Sequence, residues 1–443
     1  MKFHKTKYLA SIILLFVFAN ISAQTLPTIP VPQPVNPNQY FRPSFPQTNP
    51  HNPNELNDIQ RRNNAMIRQD IEEHQRHIHA EIQRQSAIKM LLEGGFPSQS
   101  YQDPEGTDCF YRAFEEINQM LKGEIPMNLG RAVFLVENAY YKDSLDYSEY
   151  KKAIKAKVEL CNAKIKEEKL NGQDNVIKNM MLFSILTDTM KIKTGGKTQT
   201  SYPLKYNLED YQSKINYDSH FVTKLMKTGI GQCHSMPLYF LILAEEMNAD
   251  AYLSFAPRHS FVKIKDENGA WYNLEITNGC ILTDAHYMNH SYIKAEAIQN
   301  RLYLEPLNKT GTIAQTLINL AAEYYEKYGL DDFYLKCADT AMEYFPNNIH
   351  SLMFKSIYET GLIRTLGYLY GVENTDILLE RCPESAKHFE KREMLYQQID
   401  DLGYEELPQS IYARWLEHID NLKEQQSKGK EEKPMFLRPL KSD

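Results

Sequence analysis

The sequence predicts an α+β protein in which a buried helix packs on an antiparallel sheet, with helical regions before and after this core. The segment from Met236 to Met247 is apolar on nearly every side, as expected of a helix that is buried all round. Two segments of strand character follow, His259 to Lys265 and Trp271 to Ile276, and the turn signal Asp266 to Gly269 separates them. Most of the remaining chain has helical periodicity.

Length and composition indicate an ordinary folded protein of two or three domains. At 443 residues the chain exceeds what one hydrophobic core normally organises, and 42% hydrophobic and 24% charged residues are typical of globular proteins. The formal net charge is −7 and there is no basic stripe, which argues against nucleic acid as a partner.

The first 23 residues are predicted to form a cleaved secretory signal peptide. Three lysines precede an apolar run from Tyr8 to Ile21, and Ser22 and Ala23 offer small side chains for cleavage. No later stretch approaches the roughly 18 apolar residues of a membrane span, so we expect no transmembrane segment after cleavage. The mature chain is therefore expected to be secreted or periplasmic and more acidic than the precursor, because the signal carries lysines and no acidic residue.

Five further segments follow the signal peptide. Residues 24–54 are rich in proline and asparagine, which predicts an extended linker. Residues 55–205 are predicted to be an N-terminal, all-helical region, residues 206–310 the core, and residues 311–425 a second helical region. Residues 426–443 are charged and contain proline, which predicts a disordered tail.

The cysteine and histidine spacing indicates no metal site and leaves the pairing of the cysteines in disulfides open. The six cysteines are far apart and include no C-x-x-C pair, which argues against a zinc ribbon or a thioredoxin-type site. Two groups have the spacing of metal ligands, but solvent-exposed side chains are the better interpretation of both. These groups are His74, His77 and His79, and His286 and His290 with Asp284. We therefore expect no metal and no cofactor.

A glycine-rich turn, Gly229 to Ser235, leads into the buried helix and contains Cys233. A thiol attacks an acyl carbon only as thiolate; a helix start stabilises that negative charge, and a neighbouring imidazole accepts the proton. Pro237 lacks the N–H that would bond the Cys233 carbonyl in a helix, so the helix is predicted to begin one or two residues after the cysteine.

The hairpin register decides whether a histidine and a carboxylate meet beside Cys233. Side chains alternate between the faces of a sheet, so His259 and Glu275 share a face only if the connecting loop has an odd number of residues. We predict the three-residue loop Glu267 to Gly269 with its glycine left-handed, which pairs Phe261 with Glu275 and leaves His259 one diagonal step away.

Two further residues are candidates to support this site. Asn273 lies on the same face as Glu275 in the predicted register, one more step from His259, and is the weaker candidate to orient the imidazole. The side chain of Gln232 and the backbone N–H of Cys233 are candidate donors to an oxyanion.

These residues resemble the transglutaminase-like superfamily, a group of enzymes with a papain-like core. The resemblance covers about Phe221 to Gly279 and rests on G-x-G-Q-C-H-S at the helix, R-H-S-F-V-K-I on one strand and W-Y-N-L-E-I-T on the next. It implies that Cys233 is the nucleophile, His259 the base and acid, and Glu275 the orienting acid, where the family usually has aspartate. It also implies acyl transfer from glutamine or peptide amides by hydrolysis, deamidation or cross-linking, although the family includes catalytically silent members.

The region after the core contains one segment that resembles a tetratricopeptide (TPR) repeat. Small residues, an aromatic residue, a turn glycine and a terminal proline occur between Ile318 and Pro346 at the spacing of this 34-residue repeat. An ordinary helical bundle remains an open alternative. The residues at these positions are Ala322, Tyr325, Gly329, Ala338, Ala341 and Pro346.

Two functions are compatible with the sequence. The first is a secreted cysteine acyl hydrolase or transferase that acts on a protein or peptide substrate through Cys233, His259 and Glu275. The alternative is a catalytically silent transglutaminase-like module that binds a protein partner on its C-terminal, TPR-like helices.

Overall fold

The structure is a computed structural model that describes residues 53–99 and 103–406, together with residues 408, 417, 421, 423 and 424. The described part is largely helical with small sheets, which confirms the α+β class. The predicted signal peptide, nearly all of the linker and the C-terminal tail lie outside the described residues.

The chain divides into two compact units. Among the described residues, the first comprises residues 98–99, 103–359 and those from 390 onward, and the second comprises residues 53–97 and 360–389. The predicted boundaries after residues 205 and 310 both fall within the first unit.

Most of the described residues lie in helices. Asn128 and Asp146 cap two of them through their side chains. In chain order the helices are α1 (Pro53–Gly94), α2 (Pro104–Lys122), α3 (Leu129–Tyr140), α4 (Tyr147–Glu167), α5 (Asn175–Thr187), α6 (Val222–Thr228), α7 (Ser235–Glu246), α8 (Asp284–His290), α9 (Ala295–Gln299), α10 (Lys309–Tyr328), α11 (Asp332–Tyr344), α12 (Ile349–Tyr370), α13 (Thr375–Arg381) and α14 (Ala386–Asp401).

The strands of the described residues form three small sheets. Strands β5 to β8 make an antiparallel sheet in sequence order, β3 and β4 pair in parallel, and β1 and β2 form a separate hairpin. The strands are β1 (Met190–Thr194), β2 (Lys197–Ser201), β3 (Lys205–Tyr206), β4 (Ile230–Gly231), β5 (Tyr252–Ala256), β6 (His259–Lys265), β7 (Trp271–Glu275) and β8 (Cys280–Leu282).

The prediction that residues 55–205 are all helical is wrong at their C-terminal end. Residues 190–201 form the β1–β2 hairpin, with Thr194 paired with Lys197 across a two-residue turn. Gly195 and Gly196 both have positive φ, 55° and 79°, which is the conformation that a tight hairpin turn requires and that glycine adopts without a steric penalty. The Gly-Gly pair was the available sequence signal for this turn.

Helix α7 is the central element of the core, as its composition predicts. Every residue from Ser235 to Ala244 is buried. The helix contacts β5 and β6 of the antiparallel sheet and also contacts α3, α4, α5 and α6. Because α7 is apolar all round, it is enclosed by both the sheet and these helices.

Helices α10 and α11 form an antiparallel pair that packs on the N-terminal helices. Gly329 ends α10 with a φ of 79°, and the side chain of Asp331 caps α11 by accepting the N–H groups of Phe333 and Tyr334. Helix α10 also contacts α2 and α3, so it lies within the first unit as a core helix. The helix–turn–helix geometry agrees with the predicted helices, and the repeat family stays a prediction.

In the second unit, α1 is a long helix that ends at Gly94, with Gly95 in the left-handed conformation. The Arg84 guanidinium donates to the carbonyl oxygen of Leu369 at 3.0 Å and lies over the ring of Tyr370. Within the described residues, none of the helices is both long enough and apolar enough to cross a membrane.

Candidate active site

Cys233 lies between strand β4 and helix α7. Strand β4 pairs with β3, so that Tyr206 lies opposite Gly231, two residues before the cysteine. Helix α7 begins at Ser235, which confirms the prediction from Pro237 that the helix starts after the cysteine. Cys233 is partly exposed and therefore accessible to a substrate, whereas the helix that follows it is buried from Ser235 to Ala244.

Hydrogen bonds hold the peptide around Cys233 in place. The backbone N–H of Gln232 donates to Ser235 Oγ at 3.1 Å, and the Met236 N–H donates to the Gln232 carbonyl at 3.0 Å. Ser260 Oγ donates to the carbonyl oxygen of Cys233 at 2.5 Å. Because Ser260 follows His259 on β6, this last bond ties the cysteine to the strand that carries the histidine.

Gly231 is a close-approach position, and its replacement tests how tightly the cysteine segment is packed. A methyl group at this position would lie 2.8 Å from Leu225 Cδ1 and 2.9 Å from Ser235 Oγ. We expect Gly231→Ala to lower the free energy of unfolding by about 1–3 kcal/mol and to slow alkylation of Cys233, because the segment must shift. Urea unfolding and iodoacetamide kinetics would measure both effects.

Gly229→Ala is the matched control for this prediction. Gly229 has a φ of 71°, but a methyl group there meets no atom within 4 Å. We expect a loss of about 1 kcal/mol from the left-handed backbone and an unchanged alkylation rate. Equal alkylation rates in both variants and in the natural protein would show that the packing around Gly231 does not position Cys233.

The hairpin that carries His259 and Glu275 has the predicted register. Val262 pairs with Leu274 and Lys265 with Trp271, and this register extended by one step places Phe261 opposite Glu275. The Asp266 N–H donates to the carbonyl of Ala270 at 3.0 Å, which leaves a three-residue loop from 267 to 269. Its glycine has a φ of 86°, so the left-handed loop position is also confirmed.

The structure brings His259 and Glu275 into direct contact. His259 Nε2 lies 2.5 Å from Glu275 Oε2, and the two side chains are only 2% and 0% exposed. Three further groups donate to the carboxylate: Tyr287 Oη to Oε2 at 3.0 Å, and Thr277 Oγ1 and N–H to Oε1 at 2.7 and 3.3 Å. Both carboxylate oxygens are thus satisfied in a buried position, as a buried charge requires.

Cys233 also acts on the imidazole of His259. Hydrogen bonding with the Cys233 side chain and its charge both raise the pKa of the ring. Nε2 contacts Glu275, which leaves Nδ1 as the ring nitrogen that can serve the thiol. Cys233, His259 and Glu275 together form an array in which Glu275 contacts the ring directly and Cys233 acts on the charge of the ring.

The electrostatics of this array favour the imidazolium form of His259. Burial opposes a charge on the ring, but the charge of Glu275 and the hydrogen bonds with Cys233 and Glu275 outweigh it and raise the pKa of His259 to about 10. Burial likewise opposes the Glu275 carboxylate, but the charge of His259 and the donated hydrogen bonds lower the pKa of Glu275 below its ordinary value. A proton taken from a thiol is therefore held on the imidazole.

The two predicted supporting residues have other partners. Gln232 Nε2 donates to the Asp210 carbonyl at 2.5 Å, so this amide is bonded elsewhere and is not aimed at an oxyanion. Asn273 lies opposite Lys263, and its Nδ2 donates to Asp284 Oδ1 at 2.8 Å. The register places Asn273 on the correct face of the sheet, but its side chain contacts Asp284 instead of His259.

Four residues at the array were not singled out from the sequence. Tyr287 and Thr277 hold Glu275, and Ser260 holds the Cys233 carbonyl. Burial and the charges of Cys233 and Glu275 raise the pKa of the Tyr206 phenol well above its ordinary value, which places this side chain near both groups. Ser260 and Thr277 had a usable signal, since each lies within two residues of a predicted site residue.

The histidines with metal-ligand spacing are not gathered into a metal site. His74, His77 and His79 lie on an exposed stretch of α1. The rings of His286 and His290 stack at 4.2 Å, and His290 Nδ1 lies 2.8 Å from the His286 carbonyl. No group of three His, Cys, Asp or Glu side chains in the described ranges is arranged to hold a metal ion. All six cysteines lie in these ranges and are free thiols.

Comparisons with family models, with curated proteins and with solved structures found no match to this chain.

Proposed function

We propose that the protein is a cysteine acyl hydrolase or acyltransferase with a transglutaminase-like, papain-like core, acting on peptide or glutamine amides. The observation that supports this most directly is the His259 ring, which contacts Glu275 at 2.5 Å and whose pKa is raised by both Glu275 and Cys233. Covalent acyl transfer requires a nucleophile, a base and a group that orients the base, and Cys233, His259 and Glu275 can fill these three roles.

In the proposed first step, Cys233 gives its proton to His259 Nδ1 and the sulfur attacks the carbonyl carbon of the substrate amide. The carbonyl π electrons move to oxygen and form a tetrahedral oxyanion. This intermediate then collapses: the C–N bond breaks, and the His259 imidazolium donates its proton to the leaving nitrogen. The products are a thioester on Cys233 and a free amine, or ammonia where the substrate is a glutamine side chain.

In the second step, water or an amine attacks the thioester carbonyl while His259 accepts its proton. Collapse of the second tetrahedral intermediate breaks the C–S bond, and the proton returns from His259 to sulfur. Glu275 keeps the ring oriented through Nε2 in both steps and stabilises each imidazolium. Water gives hydrolysis or deamidation, and an amine gives a cross-link.

The start of helix α7 supplies the positive end of a helix dipole beside the nucleophile. The first N–H groups of a helix have no intrahelical partner, and they stabilise negative charge placed near them. With the Gln232 amide bonded to Asp210, the backbone N–H of Cys233 is the remaining candidate to stabilise the oxyanion.

Selective alkylation tests the nucleophile, and Cys280 serves as an internal control. Cys280 is an exposed free thiol with no histidine contact among its hydrogen bonds, whereas Cys233 is only partly exposed. We expect iodoacetamide to label Cys233 faster than Cys280 at pH 7, as peptide mass spectrometry would measure, because a neighbouring imidazole accepts the thiol proton.

The acyl-transfer chemistry needs its own measurement. Glutamine-containing peptides should release ammonia, or incorporate a primary amine, in the presence of the natural protein and not of Cys233→Ala. Labelling of Cys233 no faster than Cys280, with no acyl product from any peptide, would instead favour the silent module that binds a protein on its C-terminal helices.

A further inference from the structure

The structure contains a second buried histidine–carboxylate pair, formed by His220 and Glu323. His220 Nε2 is 3.0 Å from Glu323 Oε1, and both side chains are largely buried, at 11% and 3% exposed. His220 ends a 3₁₀ helix, Tyr217–His220, that leads into α6, and Glu323 lies on α10. The acyl-transfer steps above do not use this pair.

Hydrogen bonds connect this pair to the residue that precedes the nucleophile. His220 Nδ1 is 3.3 Å from Ser213 Oγ, and Ser213 Oγ is 3.2 Å from Gln232 Oε1. Gln232 Nε2 donates to the Asp210 carbonyl at 2.5 Å. These hydrogen bonds connect Glu323 on helix α10 with the side chain of Gln232, the residue before Cys233. We call this series of hydrogen bonds, which ends at the Asp210 carbonyl, the relay.

The direction of each hydrogen bond in the relay follows from the group at its end, the Asp210 carbonyl. A carbonyl oxygen only accepts, so the amide of Gln232 must direct Nε2 at Asp210 and Oε1 at Ser213. The Ser213 hydroxyl then donates to Gln232, and its oxygen accepts from an N–H at His220 Nδ1. Because the other ring nitrogen faces a carboxylate oxygen, both nitrogens must carry a proton, and His220 is an imidazolium in this arrangement.

The surroundings of His220 agree with a charged ring. Burial opposes the charge, but the carboxylate of Glu323 outweighs it and raises the pKa of His220 above its ordinary value of 6.5. His234 packs edge-to-face against this ring, and burial lowers the pKa of His234 to about 3, so it adds no competing positive charge. The other titratable groups that act on His220, or on which it acts, are Glu137, Tyr217, Asp218 and Glu326.

Helix α10 also contacts the residue that follows the nucleophile. Asn319 Nδ2 is 3.4 Å from His234 Nε2, and Asn319 lies one helical turn before Glu323. Helix α10 therefore contacts His234 directly through Asn319. It reaches Gln232, on the other side of Cys233, through the relay.

We propose that His220, Ser213 and Glu323 are positioning residues that hold Gln232, and with it Cys233, in the reactive geometry only while His220 is protonated. This inference rests on the proposed acyl-transfer function. When His220 loses its Nδ1 proton, the Ser213 hydroxyl rotates to donate to the ring and releases Gln232 Oε1. Gln232 then keeps its bonds to Asp210 and Ser235 but loses the one from Ser213, and the segment before Cys233 is held less firmly.

The test compares Ser213→Ala with Ser213→Gly. Ser213 has a φ of 53°, where alanine is strained and glycine is not, yet both substitutions remove the hydroxyl. The expected result is that both variants label Cys233 with iodoacetamide about 10-fold more slowly than the natural protein at pH 6, because one hydrogen bond in the relay is lost. An effect confined to the alanine variant would assign it to backbone strain and overturn the proposal.

The pH profile separates a positioning role from a merely structural one. We expect the ratio of natural to variant labelling rates to fall from about 10 toward 1 as the pH rises through the His220 titration, with a midpoint above pH 6.5. A ratio that is constant from pH 5 to 9 would contradict the relay. Thermal melts at each pH show whether the variants remain folded.

Glu323 is tested by two substitutions with different outcomes. Glu323→Gln replaces the acceptor with an amide that can donate to His220 Nε2, so the neutral ring can still carry a proton on Nδ1 and donate to Ser213. The ratio of natural to variant labelling rates at pH 6 should therefore stay near 1. Glu323→Ala leaves the tautomer undefined and should match Ser213→Ala, and the double variant should be no slower than either single one. Additive losses in the double variant would mean that the two residues act independently.

Failure of this proposal and failure of the proposed function are distinguishable. The ratio of rates at Cys233 can be measured whether the absolute rate is fast or slow. Selective labelling of Cys233 over Cys280 with no effect of Ser213 would leave the acyl-transfer proposal standing and refute the relay. Unselective labelling of Cys233 would refute the function on which the relay rests, and with it the relay's role.

Discussion

Replacement of His259 by glutamine is expected to slow alkylation of Cys233 at pH 7 by about 10²–10⁴-fold, the usual contribution of a positioned general base. Glutamine can still donate to Glu275 through its amide, so the buried carboxylate keeps a partner and the fold is preserved. It cannot accept the thiol proton as imidazole does. Stopped-flow or mass-spectrometric labelling with iodoacetamide would measure the change.

His290→Gln is the matched control for this substitution. His290 is a partly buried histidine on α8 whose Nδ1 contacts the His286 carbonyl, and it belongs to no array with a cysteine. Its replacement should leave the labelling rate of Cys233 within about twofold of the natural protein. If His259→Gln behaves like this control, His259 does not activate the thiol and the proposed mechanism is wrong.

Replacement of Glu275 by alanine is expected to have the largest effect on stability. The carboxylate is fully buried and accepts hydrogen bonds from His259, Thr277 and Tyr287. Removal leaves these donors without their acceptor, and breaking a buried charged pair costs about 3–5 kcal/mol. Urea unfolding at pH 7 would measure the loss, and an intact stability would show that the buried pair is not charged.

Glu115→Gln provides the comparison for a surface ion pair. Glu115 pairs with Lys336 at 3.3 Å, but both side chains are about half exposed. Solvent screens such a pair, so its loss should change the free energy of unfolding by less than about 1 kcal/mol. Similar losses in Glu115→Gln and Glu275→Ala would indicate that burial does not set the strength of the His259–Glu275 contact.

The stability that this pair contributes should depend on pH at both ends. The pKa of Glu275 is lowered in the folded protein, so its contribution is present above the ordinary value of 4.5 and is lost as the pH falls. The pKa of His259 is raised to about 10, so its contribution is complete below 6.5 and is lost as the pH rises through about 10. The stability difference from Glu275→Ala should therefore be greatest between about pH 4.5 and 6.5.

Local patterns in the sequence were sufficient to predict the hairpin of the site. Its loop length follows from the position of Gly269, and the alternation of side chains then decides which residues share a face. The same reasoning was applied to Asn273 and placed it on the correct face, yet its side chain contacts Asp284. Register determines which face a residue occupies, while the contact partner depends on what packs against that face, here the start of α8.

The β1–β2 hairpin shows a different limit. Strand β2 is polar and mostly exposed, so it lacks the apolar alternation of a half-buried strand. In β1 the apolar Met190 and Ile192 alternate with Lys191 and Lys193, but over too few residues to stand out from the helices before it. Only the Gly195-Gly196 pair indicated a turn there.

The sequence by itself determined the α+β class, the burial of helix α7, the start of that helix after Cys233 and the facing of His259 toward Glu275, because each depends on periodicity or turn chemistry over a few residues. The tertiary structure alone decided how these groups are supported. Tyr287 reaches Glu275 from α8, and Glu323 reaches His220 from a helix about a hundred residues away along the chain. Contacts between distant segments depend on how helices pack, and no local pattern encodes that packing.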